Sequence, residues 1–120
     1  MTVPEHEIHY LEIVTPDAEA SRDFYSQAYG WRFEDMAPEL GNAFVASLPN
    51  GSRCGIRAPM HDHETPTVRT YIRVADIDSS IQRAAELGAA VALEPTKISG
   101  QGMIAIYRYD GIEQGIWQVP

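Results

Sequence analysis

Only one of the 120 residues is cysteine, Cys54, so no disulfide can close within the chain, and a lone thiol suits a reducing compartment. Basic side chains are also scarce. Nine lysines and arginines face seventeen acids, a formal net charge of −8. Such a chain has no basic face with which to neutralise phosphates, which argues against a nucleic-acid partner. No apolar run approaches the roughly 18 residues that a membrane span requires, and the N-terminus lacks the basic-then-apolar order of a secretion signal. The expectation is a cytoplasmic protein with no membrane partner. What the chain does have is globular composition, 44% apolar and 22% charged, at a length that supports one core.

The chain also repeats itself. Tyr10 to Asp17 (YLEIVTPD) lies over Arg69 to Asp76 (RTYIRVAD), and each alternating run ends in an aspartate. A helical pattern closed by glycine follows each, to Gly30 and to Gly88. Downstream, NGSRCGIRAP from Asn50 matches DGIEQGIWQV from Asp110 at an offset of about 60 residues, as before. The chain therefore reads as one domain, 1–120, built of two repeats, about 1–60 and 61–120, joined by the proline-flanked segment Pro59–Pro66.

Each repeat reads as β-α-β-β-β. Asp17 and Asp76 are the predicted N-caps, because a carboxylate there accepts from the unpaired amides of the first turn. Ala20, Phe24, Ala28 and Trp31 recur at helical spacing and predict the buried stripe of the first helix; Ile77, Ile81, Ala84 and Leu87 predict that of the second. Phe44–Leu48 and Arg53–Ala58 predict a hairpin about Asn50-Gly51, and Met103–Tyr109 and Glu113–Val119 another about Asp110-Gly111. A further strand is predicted at Val91–Leu93, with a weaker counterpart at Trp31–Glu34.

Strand side chains alternate, so Leu11 and Ile13 share one face of the first strand while Tyr10 and Glu12 share the other. In the second repeat Thr70, Ile72 and Val74 oppose Arg69, Tyr71 and Arg73. Arg53, Gly55 and Arg57 share a parity, as do Glu113, Gly115 and Trp117. If the apolar faces take the helices, the opposite faces carry arginines, rings and carboxylates. Curled together they would enclose a cleft suited to an anionic or aromatic organic ligand, since the guanidinium fork matches carboxylate or phosphate. The candidate ligand-binding residues are Tyr10, Arg57, Arg69, Tyr71, Arg73 and Trp117. Glu12 and Glu113 could pair with these arginines instead and leave the cleft nearly neutral.

The runs YLEIVTPDAEASRDFYSQAYGW from Tyr10, YIRVADIDSSIQRAAELGA from Tyr71 and DGIEQGIWQ from Asp110 resemble the vicinal oxygen chelate superfamily, which includes glyoxalase I, extradiol dioxygenases and bleomycin-binding proteins. The resemblance implies an α+β fold of two tandem βαβββ modules forming a curved, mixed half-barrel sheet, and it implies a homodimer. Metal-dependent members place one ligand on the first strand of each half and one on the last. The matching positions here are Tyr10, Arg69, Gly55 and Gly115, none of them a good ligand, and a cation at position 69 would repel a divalent ion. No metal and no cofactor are expected at that site.

Other motifs carry less. His6, His9, His61 and His63 have spacings that can chelate, but they sit near the N-terminus and in the linker and read as surface histidines. Cys54 has the parity opposite to the cleft and reads as a buried, inert thiol. Ser99–Gly102 reads as an edge loop or lid. Three functions stay open: a metal-free binding protein, a metal-free isomerase or lyase with Glu12 as general base, and a divalent-metal enzyme with non-standard ligands.

Overall fold

The computed structural model describes residues 3–120. They form two compact units: one holds Tyr10–Val68, the other holds Val3–His9 with Arg69–Pro120. The expected linker Pro59–Pro66 lies inside the first unit, where Glu64 ties it to Arg57.

The first unit takes β1 (Ile8–Val14) from Tyr10 onward, followed by α1 (Ala18–Tyr29), β2 (Phe44–Ser47) and β3 (Arg53–Arg57). Strand β3 runs parallel to β1 and antiparallel to β2. The strand expected near Trp31–Glu34 is reduced to a bridge, Phe33 to Ala46. Helix α1 begins where the Asp17 carboxylate accepts from the Ala20 amide and ends at Gly30, whose φ of 73° is left-handed. Its inward stripe is Ala18, Ser21, Arg22, Tyr25 and Ser26, displaced from the one expected, and Phe24 is 60% exposed. The reason is Trp31: it lies beyond the helix, stacks on Tyr25 with ring centroids 5.7 Å apart, and so selects the Tyr25 side. Arg22 follows by laying its guanidinium over the Phe44 ring at 4.5 Å.

The second unit holds β4 (Thr67–Arg73), α2 (Ile77–Glu86), β5 (Ala90–Ile98), β6 (Gly102–Tyr109) and β7 (Ile112–Gln118). Strand β7 is parallel to β4 and antiparallel to β6, which pairs with β5. The pairing of each unit thus repeats the other's. Asp76 caps α2 through the Ser79 amide, and the Gln118 side chain accepts from the Ile77 amide. Ile77 and Ile81 are buried as expected, whereas Leu87 is exposed. Strand β5 outruns its predicted core, because register shifts between Val91 and Thr96 accommodate Pro95 at the sheet edge. Asp110 and Gly111 both have positive φ, 52° and 79°, as a type I′ turn demands. Asn50-Gly51 forms a longer loop, in which the Asn50 side chain accepts from the Ser52 amide and hydroxyl. Among the described residues no helix is long and apolar enough to cross a membrane.

Candidate functional site

Each unit sorts its strand residues by parity. In the first, Ile13, Cys54 and Ile56 form a core with Leu11, Ala18, Tyr25, Trp31 and Phe33, on the side that α1 covers. Tyr10, Glu12, Gly55 and Arg57 take the other side. In the second, Val74, Ile77, Ile81, Ala105 and Ile116 form the core under α2, with Ile72, Met103 and Tyr107 packed on it. Arg69, Tyr71, Arg73, Glu113, Gly115 and Trp117 have the opposite parity. The candidate residues therefore do lie on the helix-free faces, and we describe each face in turn.

On the first face Tyr10 is 3% exposed and lies across Gly55. A Cβ on Gly55 would come within 2.5 Å of the Tyr10 Cζ, so the phenol fills the space that any side chain at position 55 would need. The Arg53 guanidinium sits 5.7 Å from the Tyr10 ring centroid. Arg57 is buried and four of its five N–H donors meet acceptors. Its Nε donates to Glu12 at 3.0 Å, and its two terminal nitrogens donate to the two Glu64 oxygens at 2.8 Å each. One of them also reaches the Ala58 carbonyl at 3.2 Å. These bonds hold the Glu64 carboxyl down at about 2, helped by the Met60 amide and by His61, and push the Arg57 guanidinium further up.

On the second face Tyr71 lies across Gly115, where a Cβ would come within 2.5 Å of the Tyr71 Cε2. The ring meets Trp117 edge-on at 5.6 Å, and the His9 ring meets Trp117 at 5.2 Å from another side. The Trp117 indole N–H donates to the Gln101 carbonyl at 2.8 Å, so the Ser99–Gly102 loop is tied to the tryptophan. Arg69 donates to Glu113 at 2.5 Å; Arg108 takes the other Glu113 oxygen at 3.0 Å. Bonds from Arg69 first, then Arg108, hold the Glu113 carboxyl below the usual carboxylate range. Arg73 donates to the Val3 carbonyl.

Pairing of the arginines with Glu12 and Glu113 is thus what the chain adopts. Glu64 and Gln101 are contributors that the pattern did not single out, and His9, expected as a surface histidine, is instead buried against Trp117. Glu64 sits in an irregular segment with no periodicity to read, and Gln101 acts through its backbone. His61 and His63 lie in a turn, not on an extended segment, and are exposed.

The positions that the resemblance singles out for metal ligands, Tyr10, Gly55, Arg69 and Gly115, do not fit a metal ion here. Two are glycines whose side-chain space is taken by tyrosine rings, and a third is a guanidinium held by Glu113. Among the described residues no three histidine, cysteine, aspartate or glutamate side chains converge as metal ligands would. Cys54 is fully buried on the α1 side, and desolvation pushes its thiol up to about 11. A thiol reagent at pH 8 is expected to leave it unmodified in the native protein and to react with it stoichiometrically in denaturant; rapid native labelling would contradict that burial.

Residues 7–113 match the family model described as Glyoxalase/Bleomycin resistance protein/Dioxygenase superfamily. The protein named "Putative glyoxylase CFP32" of Mycobacterium tuberculosis (strain CDC 1551 / Oshkosh) is 27% identical over 116 residues, 92% of this chain and 44% of that protein. The chain thus spans less than half the length of this curated relative. Among solved structures, methylmalonyl-CoA epimerase from Mycobacterium tuberculosis superposes with a TM-score of 0.76 at 14% identity, over 100% of this chain and 93% of the other. A variant of the Streptomyces coelicolor methylmalonyl-CoA epimerase in complex with 2-nitronate-propionyl-CoA superposes at 0.72 and 17% identity, covering 97% and 99%. Superpositions of this quality at such low identity establish a shared fold alone.

Proposed function

Because the chain belongs to the Glyoxalase/Bleomycin resistance protein/Dioxygenase superfamily, we propose that it is a metal-free binding protein for a small organic ligand, anionic or aromatic, taken on the helix-free faces of its two repeats. The observation that carries this reading is the exchange of ligand chemistry for aromatic and guanidinium chemistry. Tyrosine rings occupy the space at Gly55 and Gly115, and Arg57, Arg69, Arg73 and Trp117 have the same parity as those glycines. Rings offer apolar area and guanidinium forks offer orientation. Because Tyr10, Tyr71 and Trp117 are buried and Arg57 and Arg69 are paired with Glu64 and Glu113, a ligand must displace some of these contacts to reach them. A complex with a CoA ester in a protein of this fold supports a small, anionic organic ligand. Homodimeric assembly and a cytoplasmic setting belong to the same reading, the latter in keeping with the reduced, buried Cys54.

A thermal-shift screen of aromatic carboxylic acids is expected to find stabilisation of several degrees, lost in Arg69→Ala while the circular dichroism spectrum is kept. If no member of such a screen stabilises the protein, the reading falls. A second reading draws on the epimerases among the solved relatives: a metal-free isomerase or lyase with Glu12 as general base. Glu12 is oriented by Arg57 and is 12% exposed, so a substrate would have to reach it beside that guanidinium. Turnover that disappears in Glu12→Gln, with binding retained, would favour the enzyme; binding without turnover in the parent protein favours the first reading.

A further inference from the structure

Arg57 and Glu64 meet in the geometry of a captured ligand. Two parallel 2.8 Å bonds join the guanidinium fork to the two carboxylate oxygens, and the Met60 amide adds a third bond of 2.8 Å to Oε1. Glu12 fixes the guanidinium from behind through Nε. The Arg57 fork stands at the end of β3, whereas the Met60 amide and the Glu64 carboxylate both lie on the irregular segment Pro59–Pro66. That segment is weakly held by its own backbone: Glu64 donates to the His61 carbonyl, and His61, Asp62 and His63 are exposed. A concavity of about 680 Å³ opens alongside it, lined among others by Met36, Phe44, Ala58, Pro59 and Met60. Gly41, on the same wall, lets the chain close on Met60 and Arg57; a Cβ there would stand 3.0 Å from the Arg57 Cδ.

We propose that the Arg57 fork and the Met60 amide form a carboxylate-binding cradle that Glu64 fills in the resting chain, and that a free organic carboxylate with an apolar body exchanges with Glu64. The head of the ligand takes the three bonds of the Glu64 carboxylate, and its body lies along Met36, Phe44 and Met60. Glu64 is then an internal competitor. Tethered seven residues from Arg57, it acts at a high effective concentration, so an outside acid must bring apolar contacts of its own to displace it. The proposal rests on the reading of Arg57 as a ligand-binding residue and goes beyond it in naming the ligand class and its built-in rival.

The test uses Glu64→Ala, titrated with phenylacetate, acetate and, at matched ionic strength, chloride. Phenylacetate is expected to raise the melting temperature of the variant, to bind it at least tenfold more tightly than the parent, and to restore protection of the Met60 amide against hydrogen exchange; acetate does the same more weakly, and chloride does not. Phenylacetate binding that is equal in parent and variant, or a Met60 amide that stays unprotected at saturation, overturns the proposal. If Glu64→Ala fails to fold, Glu64→Gln carries the same measurements, since it keeps the volume and lacks the charge. The readout is Met60 of the first unit, whereas the screen for the proposed function is read through Arg69 of the second, so either can fail without the other.

Discussion

Replacing Arg57 by leucine is expected to cost about 3–5 kcal/mol at neutral pH, the range found when one partner of a buried ion pair is removed. The guanidinium is 6% exposed, and it bridges Glu12 and Glu64, which are 12% and 15% exposed. Without it, two carboxylates in a low-dielectric setting lose their guanidinium partner, and Glu64 keeps its bond from the Met60 amide. The pH dependence gives the argument its sign. In the parent protein the Glu64 carboxyl is lowered from 4.5 to about 2, so the stability it contributes is complete above 4.5 and is lost as pH falls towards 2. The groups facing it are Arg57, the Met60 amide and His61. In Arg57→Leu that contribution is absent, so lowering the pH from 7 to 4 should narrow the gap between variant and parent. Urea midpoints at the two pH values measure it, and a gap that does not change with pH would contradict this account of the cluster.

The second large effect is expected from Gly55→Ala. The added methyl group would overlap the phenol of Tyr10, a ring that is 3% exposed and has no open direction in which to swing. Overpacking of this kind costs about 3 kcal/mol, which lowers the melting temperature by roughly 12 °C for a chain of this length. Coupling identifies the cause. Combining Gly55→Ala with Tyr10→Ala should cost less than the sum of the two single changes, because the smaller residue leaves room for the methyl group. Strict additivity would mean that the alanine acts through the backbone and not through the ring. Gly115→Ala against Tyr71→Ala is the matching cycle in the second unit.

These two effects differ in how far they could be read beforehand. Alternation along β1, β3, β4 and β7 was enough to put Tyr10, Glu12, Arg57, Arg69, Tyr71, Arg73 and Trp117 opposite the helices, because a strand with one apolar face has only one way to turn. The repeat carried the order of the elements except the strand near Trp31–Glu34, which is only a bridge, and Asp17 and Asp76 carried the helix starts. Less was legible where contacts depend on loop conformation or on competition between aromatics. The stripe of α1 was misplaced because Ala20, Phe24 and Ala28 fit the helical period as well as Ala18, Arg22 and Tyr25 do; the stacking of Trp31 on Tyr25 decides between them, and that contact lies outside the helix. Glu64 was hidden for a related reason. An acid seven residues past an arginine has no fixed direction until the turn at His61 is made.

The rings across Gly55 and Gly115 also constrain how this sequence can change. A carboxylate or imidazole cannot enter at either glycine in a single step, since the space belongs to a tyrosine, and removing the tyrosine first leaves a void in a buried wall. Each ordering passes through an intermediate less stable than the present sequence. Metal-dependent chemistry at these positions is therefore separated from the present sequence by a fitness valley: it is reachable only by paired substitutions, or after stability has accumulated elsewhere in the chain.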